Sequence, residues 1–142
     1  GIKDYLDLQP TFGTFAELEA HLRLIHAPFG PLTDAQWQAL ARSSARHDPD
    51  GWRLRYDPAI RFAYAELAED DVELWSLWDA IRAPTFVLRG ADSIVLPADV
   101  AEAMRTRGPK AVVETVVGVG HAPALMDPQQ VETVAGWLDL AG

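Results

Sequence analysis

The order of apolar runs in the carboxyl-terminal part of the chain limits its fold more than any other feature. A short apolar run, Thr85 to Leu88, and a second one, Ala111 to Val117, are separated by a helical pattern from about Pro97 to Arg107. A final helix is predicted from Asp127, its N-cap residue, to Leu140. Strands that alternate with helices through short loops are typical of a parallel α/β sheet. We therefore predict two parallel strands that helices bury on both faces.

A glycine-flanked histidine, His121, lies in the segment Gly118 to Pro123, between the second run and the final helix. In parallel α/β sheets, functional groups gather on loops at the carboxyl ends of the strands. The segment Arg89 to Ser93 follows the first strand and is expected at the same edge. An imidazole can accept and donate protons near neutral pH. The position of His121 therefore predicts a role in proton transfer, and the alternative is an ordinary histidine of a surface loop.

Residues 1–80 predict helices and turns without a ladder of strands. Four helices are expected, beginning near Thr14, Thr33, Asp57 and Asp71. The first has the capping-box spacing of Thr14 and Glu17 and carries its apolar residues on one face. Prolines and a glycine between His26 and Pro31 end that helix, and a turn-rich cluster, His47 to Gly51, follows the second one.

Charge and cysteine content exclude several classes of function. The chain has 12 basic and 21 acidic residues, a net charge of −9 and no basic run, which argues against nucleic acid or a membrane surface as partner. It has no cysteine, so disulfides and thiolate chemistry are excluded. No apolar run is long enough to span a membrane and the first residues do not form a signal peptide, so a cytoplasmic location is expected.

No cofactor or metal is predicted. His21 and His26 are five residues apart on one helix, which points them in different directions rather than towards one ion. Gly118 and Gly120 lack the third glycine and the downstream acid of a dinucleotide-binding fingerprint.

The segments Pro84 to Asp92 and Gly118 to Pro123 resemble the carboxyl-terminal half of the α/β-hydrolase family. In that family, the next-to-last strand ends in a glycine-containing loop with the triad acid, and the last strand ends in a loop with the triad histidine. Residues 1–80 are similar to the helical cap that is inserted between the two halves. The resemblance implies an α/β fold class: a partial α/β-hydrolase fold, with a cap over residues 1–80 and the last strand–helix units of the parallel sheet over residues 81–142.

The resemblance assigns the triad histidine to His121 and makes Asp92 the candidate acid, which would fix the tautomer of His121. The family usually carries this acid three or four positions after the loop glycine. Here those positions are Ser93 and Ile94, whereas Asp92 lies two positions after Gly90. The alternative for Asp92 is an ordinary solvated aspartate of a turn, and in that case the acid is lost, substituted or supplied by a missing amino-terminal half.

A nucleophile is harder to find than a base. The family carries it on a Gly-x-Ser-x-Gly elbow between a strand and a helix. None of the chain's serines has that setting: Ser43, Ser44, Ser76 and Ser93. The resemblance therefore implies that the amino-terminal half with the nucleophile lies upstream or in another chain. We expect this chain to be inactive alone and to associate with that half, or with itself through the exposed sheet edge.

The predicted function is hydrolysis of a small ester-like substrate. Phe29, Trp37 and Trp52 could line an apolar substrate pocket, although aromatic residues at helical spacing more often pack a core. An aspartate nucleophile in the other half would instead indicate dehalogenation or epoxide opening, and the fold does not decide the substrate. The alternative is a non-catalytic binding module on a degenerate hydrolase scaffold.

Overall fold

The computed structural model describes residues 10–57, 59 and 73–141. Helices and strands follow in the order α1 (Phe15–Ile25), a 3-10 turn (Ala27–Phe29), α2 (Asp34–Ser44), β1 (Ala45–Asp48), β2 (Gly51–Leu54), α3 (Trp75–Asp79), β3 (Phe86–Gly90), α4 (Ala98–Thr106), β4 (Val112–Val116) and α5 (Pro128–Ala141). The described residues form two compact units. The first unit takes residues up to 26 with those from 33 to 59, and the second unit takes 27–32 with those from 73 onwards. The predicted boundary between cap and core at residue 80 stays a prediction.

Capping boxes start both helices of the first unit. The Thr14 hydroxyl accepts the Glu17 amide at 3.2 Å, and the Glu17 carboxylate accepts the Thr14 amide at 3.1 Å. Thr33 and Gln36 form the same reciprocal pair at the start of α2, at 3.3 and 2.8 Å. Each box satisfies backbone donors that the first helical turn leaves unpaired. The predicted starts of both helices are confirmed.

The core of the first unit lies between these helices and a pair of strands. Its buried residues are Leu18, Leu22, Ala41, Ala45 and Leu54, and partly buried aromatic residues such as Phe15 and Trp52 pack against them. Leu18 is 0% exposed and Leu22 is 1% exposed. Burial of one such leucine contributes roughly 1.5–3 kcal/mol, so the predicted apolar face of α1 holds this unit together.

The prediction that residues 1–80 lack strands is wrong. β1 and β2 form an antiparallel hairpin in which Ala45 pairs with Leu54 and Asp48 pairs with Gly51. The reason is tertiary, because Ala45 and Leu54 are core residues although most of the other residues in the two strands are polar. A T-shaped contact between the rings of His47 and Trp52, at 4.8 Å, adds a cross-strand pair. The predicted turn is the hairpin loop.

Two of the predicted helices fall partly outside the described residues. The helix expected from Asp57-Pro58 lies in a stretch of which only Asp57 and Ala59 are described. Of the helix expected from Asp71 to Ile81, the structure contains α3, Trp75–Asp79, while residues 71 and 72 are not described. The indole of Trp78 donates to the carbonyl of Arg107 at 3.2 Å, and the Arg107 guanidinium pairs with Asp79 at 2.6 Å. These contacts hold α3 against the end of α4.

The second unit contains the predicted strand–helix–strand–helix order. β3 and β4 are parallel, in a register that runs from Phe86 opposite Val112 to Gly90 opposite Val116. α4 contributes Ala101 to a buried cluster with Val113 of β4. α5 contributes Trp137, whose ring lies 5.5 Å from that of Phe86. The parallel pair and both helices are confirmed.

Two details of the second unit refine the prediction. Asp127 caps α5 as expected, because its carboxylate accepts the backbone amide of Gln129 at 2.8 Å. The prediction that helices bury both faces, however, is wrong for β4, since Val112 and Thr115 are exposed. Among the described residues each of the two strands pairs only with the other, so each strand has one unpaired edge. None of the described helices is both long and apolar enough to cross a bilayer.

Candidate active site

The candidate site lies where β3 and β4 end. Because the strands are parallel, the loops that follow Gly90 and Val116 leave the same edge of the sheet. Backbone hydrogen bonds join these loops, from the Ala91 amide to the Val116 carbonyl at 2.8 Å and from the Asp92 amide to the Val119 carbonyl at 3.0 Å. The loops expected to carry an acid and a histidine are therefore held side by side.

Two glycines allow the backbones at this edge to come close together. A Cβ on Gly90 would overlap the carbonyl oxygen of Gly120. A Cβ on Gly120 would lie 2.6 Å from the Cβ of Pro28, whose carbonyl accepts the Gly120 amide, also at 2.6 Å. A side chain at either position would push these segments apart. The glycines thus set the position of the histidine loop.

His121 is exposed at this edge, and its imidazole is bonded to Ser93. The Nδ1 atom of His121 lies 3.2 Å from the Ser93 hydroxyl oxygen. Ser93 itself is buried, with 8% of its surface exposed, and its hydroxyl also accepts the Leu96 amide at 2.9 Å. Within the described part of the chain, Nε2 of His121 has no hydrogen-bond partner. The ring is thus held at one nitrogen and open at the other, as a general base must be.

Asp92 lies beside this pair without joining it. Its side chain is exposed, and among the residues that the structure describes no hydrogen bond or ion pair links its carboxylate to His121. Its backbone amide is bonded to Val119. Ile94, the other position expected for an acid, is 92% exposed. The role of Asp92 as triad acid stays a prediction.

Arg89 supports the loop that carries Ser93. Its side chain is buried, and its guanidinium donates to the carbonyls of Leu96 at 3.2 Å and Ala91 at 3.3 Å. These two carbonyls lie on either side of Ser93 along the chain. A buried guanidinium keeps its charge and needs several acceptors, so this arrangement fixes the loop firmly.

Sequence reasoning does not identify Ser93 as a functional residue. The available signal is its position, three residues after Gly90, because the resemblance places the acid three or four residues after that glycine. According to the family pattern, a serine at this position indicates only that the acid is absent. The pattern does not indicate that the serine itself could bind the imidazole. Only the register of the two strands brings Ser93 to His121.

The three aromatic residues predicted for a substrate pocket occupy different settings. Phe29 lines a cavity of about 420 Å³ in the second unit, together with Leu88 and Val119. Trp52 lines an open hollow of about 440 Å³ in the first unit. Trp37 is buried in the first unit and lines neither of these cavities. Their role in substrate binding stays a prediction.

Metal ligation finds no support at this edge of the sheet. Across the described residues, no group of three or more histidine, aspartate or glutamate side chains is close enough to hold an ion. The groups that the site does present are the His121 imidazole, which can transfer protons, and the Ser93 hydroxyl, which can form hydrogen bonds.

Comparison with known proteins identifies the fold. No family model matches the chain. The 3-hydroxybutyrate-oligomer hydrolase of Cupriavidus necator is 35% identical over 136 residues, which cover 89% of this chain and 46% of the relative. A Rickettsia typhi protein assigned as a hydrolase superposes with a TM-score of 0.88 at 27% identity, over 99% of this chain and 48% of its own.

An α/β hydrolase from Novosphingobium aromaticivorans superposes with a TM-score of 0.81 at 28% identity, over 97% of this chain and 50% of its own. The chain thus spans about half the length of each of these proteins. The predicted fold class, a partial α/β-hydrolase fold, is confirmed.

Proposed function

We propose that this chain, which has a partial α/β-hydrolase fold, is the histidine-bearing part of a hydrolase that cleaves carboxylic esters. The observation that carries the proposal is the exposed imidazole of His121 at the carboxyl edge of a parallel sheet, bonded at Nδ1 and open at Nε2. The Cupriavidus necator relative is named for 3-hydroxybutyrate oligomers, and hydroxy acids are joined to one another by esters. An ester of a short hydroxy or carboxylic acid is the substrate class that this similarity favours.

The proposed reaction is acyl transfer to water in two steps. Nε2 of His121 takes the proton of a hydroxyl nucleophile while the nucleophile's oxygen attacks the ester carbonyl. The tetrahedral intermediate collapses, the bond to the leaving alkoxide breaks, and the imidazolium gives that alkoxide its proton. Water then attacks the acyl-enzyme with the same base, which releases the acid and restores the nucleophile. His121 thus ends each cycle in its starting state.

We further propose that the nucleophile comes from an amino-terminal half outside this chain. This chain is therefore expected to be inactive alone. Three observations support this. The chain spans about half of its relatives. The described strands β3 and β4 pair only with each other, and two-stranded sheets are rarely stable alone. Large apolar side chains such as Val117 and Leu138 are exposed in the second unit, where a further layer would cover them. The cap role of residues 1–80 belongs to the same proposal.

The test is an esterase assay of the chain alone and of the chain completed with the polypeptide encoded upstream of it. Butyrate esters and 3-hydroxybutyrate dimers serve as substrates. Turnover is expected only in the completed protein, and His121→Ala should lower kcat at least ~1000-fold because base catalysis is lost. The control, Ser76→Ala, changes an exposed serine of α3 and should retain activity. Turnover by the chain alone that His121→Ala abolishes would contradict the proposed division of roles.

The alternative function, a non-catalytic binding module, has one observation in its favour. The imidazole is bonded to a neutral hydroxyl, and no carboxylate of the described residues contacts it. The same assay decides between the two, since a binding module would show no turnover even when complete. The cytoplasmic location expected from the sequence stays a prediction.

A further inference from the structure

We infer that Ser93 is the positioning residue of His121, and that its hydroxyl takes the place which a carboxylate holds in most nucleophile–acid–histidine triads. This inference rests on the proposed function, because it gives Ser93 a role in the same site. Its basis is the contact of 3.2 Å between the Ser93 hydroxyl oxygen and Nδ1 of His121. The contact joins two loops that are 28 residues apart along the chain.

The Ser93 hydroxyl is held in place by contacts other than the one with His121. Its backbone amide donates to the Gly90 carbonyl at 3.2 Å, and its hydroxyl oxygen accepts the Leu96 amide at 2.9 Å. The Arg89 guanidinium holds the carbonyls of Ala91 and Leu96 on both sides. Ser93 is 8% exposed, so water competes little for the hydroxyl. A group held in this way can orient an exposed imidazole.

The number of hydrogens and lone pairs defines what this contact does. A serine hydroxyl has one hydrogen to donate and two lone pairs that accept. Leu96 occupies one lone pair, so the second lone pair remains available to accept a hydrogen from Nδ1 of His121, 3.2 Å away. When Nδ1–H of His121 donates to it, Nε2 is left unprotonated and can act as a base. We assign this Nδ1–H tautomer to the resting protein.

The same contact suits the protonated state of the histidine. After Nε2 has taken the nucleophile's proton, both ring nitrogens carry hydrogen, and Nδ1–H continues to donate to Ser93. No proton moves to the hydroxyl, which is not a base at neutral pH. Ser93 therefore orients the imidazolium without the negative charge that a carboxylate would add. A Ser93→Asp substitution would add that charge and keep the acceptor.

The first experiment detects the tautomer in this chain without any reaction. Two-bond proton–nitrogen NMR spectra at pH 8 distinguish a protonated from an unprotonated ring nitrogen, and His121→Gln assigns the His121 signals. The Nδ1–H form should predominate, and Ser93→Ala should shift the ring towards Nε2–H, the form that an unrestrained imidazole prefers. Ser93→Thr keeps the hydroxyl and should retain Nδ1–H. The control Ser76→Ala, at an exposed serine of α3, should leave the spectrum unchanged.

The second experiment uses the completed protein. Ser93→Ala should lower kcat about 10-fold with KM unchanged, because one neutral hydrogen bond to the base is lost. Ser93→Asp should give a kcat equal to or higher than that of the parent protein. An Nε2–H form in the parent chain, or a tautomer that Ser93→Ala does not alter, would overturn the inference. Absence of turnover in the completed protein would overturn the proposed function instead, and the NMR result decides the contact between Ser93 and His121 independently.

Discussion

The two units of the chain bury their apolar residues to very different extents. In the first unit, two capped helices and a hairpin enclose Leu18 and Leu22, which are almost inaccessible to water. In the second unit, the buried cluster consists of two alanines and Val113. Apart from Leu24, all of the large exposed apolar side chains among the described residues belong to the second unit. A core made from neighbouring segments is complete by itself, whereas a sheet of two parallel strands needs further strands and helices.

This difference matters for the candidate site, because the site belongs to the less complete unit. His121 and Ser93 are positioned by close backbone contacts at the strand ends rather than by a large apolar core. Further layers of an α/β-hydrolase would add strands beside β3 and β4 and cover the exposed side chains. We therefore expect substitutions in the first unit to test a finished core, and substitutions in the second to test the tight loop contacts.

The largest expected effect is that of Leu18→Ala in the first unit. Leu18 is 0% exposed, so its truncation removes buried methyl groups and leaves a cavity, at a cost of about 2–5 kcal/mol in the free energy of unfolding. The same change at Leu24, on the same helix but 76% exposed, should stay within ~0.5 kcal/mol. Urea titration followed by tryptophan fluorescence measures both values.

Leu138 extends this comparison to the second unit. It lies on α5 and is 58% exposed, so Leu138→Ala should also stay within ~0.5 kcal/mol in the chain alone. A cost at Leu138 equal to that at Leu18 would mean that the second unit buries this residue in solution, for example by self-association. Equal and small costs at all three leucines would contradict the closed core of the first unit.

A smaller effect is expected from Gly90→Ala in the second unit. The new Cβ would overlap the Gly120 carbonyl, so the two loops must separate, at a cost of about 1–3 kcal/mol. Gly136→Ala is the matched control. Gly136 lies in α5, and a Cβ added to it would meet open space. Alanine there favours the helix by up to ~1 kcal/mol over glycine.

Thermal unfolding should therefore move in opposite directions for these two alanine variants. Nitrogen chemical shifts of His121 provide a second measurement, since separated loops would break the bond to Ser93. If Gly90→Ala were neutral in both measurements, the tight approach of the two loops would not be what positions the histidine.

Sequence reasoning identifies the features that depend on neighbouring residues. The capping box at Thr14, the helix start at Thr33 and the cap at Asp127 involve groups two or three residues apart, so a local pattern is enough to predict them. The parallel strands β3 and β4 are predictable from their apolar runs and from the helix between them. These elements bring the histidine loop to the sheet edge, and this much of the candidate site follows from sequence.

The missed features depend on residues that are distant along the chain. The hairpin residues Ala45 and Leu54 become strand residues because they pack against α1, and nothing in their own segment indicates this. Ser93 contacts His121 only because the parallel register places two loops side by side. A serine in a polar loop has no local pattern that reveals such a partner. In both units, contacts between segments that are distant along the chain are thus the features that the sequence does not predict.

The smallest expected effect is a dependence of the first unit's stability on pH. Burial lowers the pKa of His26 below its usual value, and the positive charge of His21 lowers it further. Above the ordinary histidine pKa of about 6.5, His26 is neutral in both the folded and the unfolded chain. As the pH falls from there towards the lower pKa of the folded chain, the unfolded chain takes up a proton first, so stability decreases.

His26→Gln removes this titration, and the free energy of unfolding of this variant should fall less between pH 7 and pH 5 than that of the parent chain. At pH 8, His26 is neutral in both the folded and the unfolded chain. The difference in the free energy of unfolding between the two proteins at this pH therefore measures the lost packing alone. An equal decrease in both proteins would show that His26 accepts its proton as readily in the folded unit as in the unfolded chain.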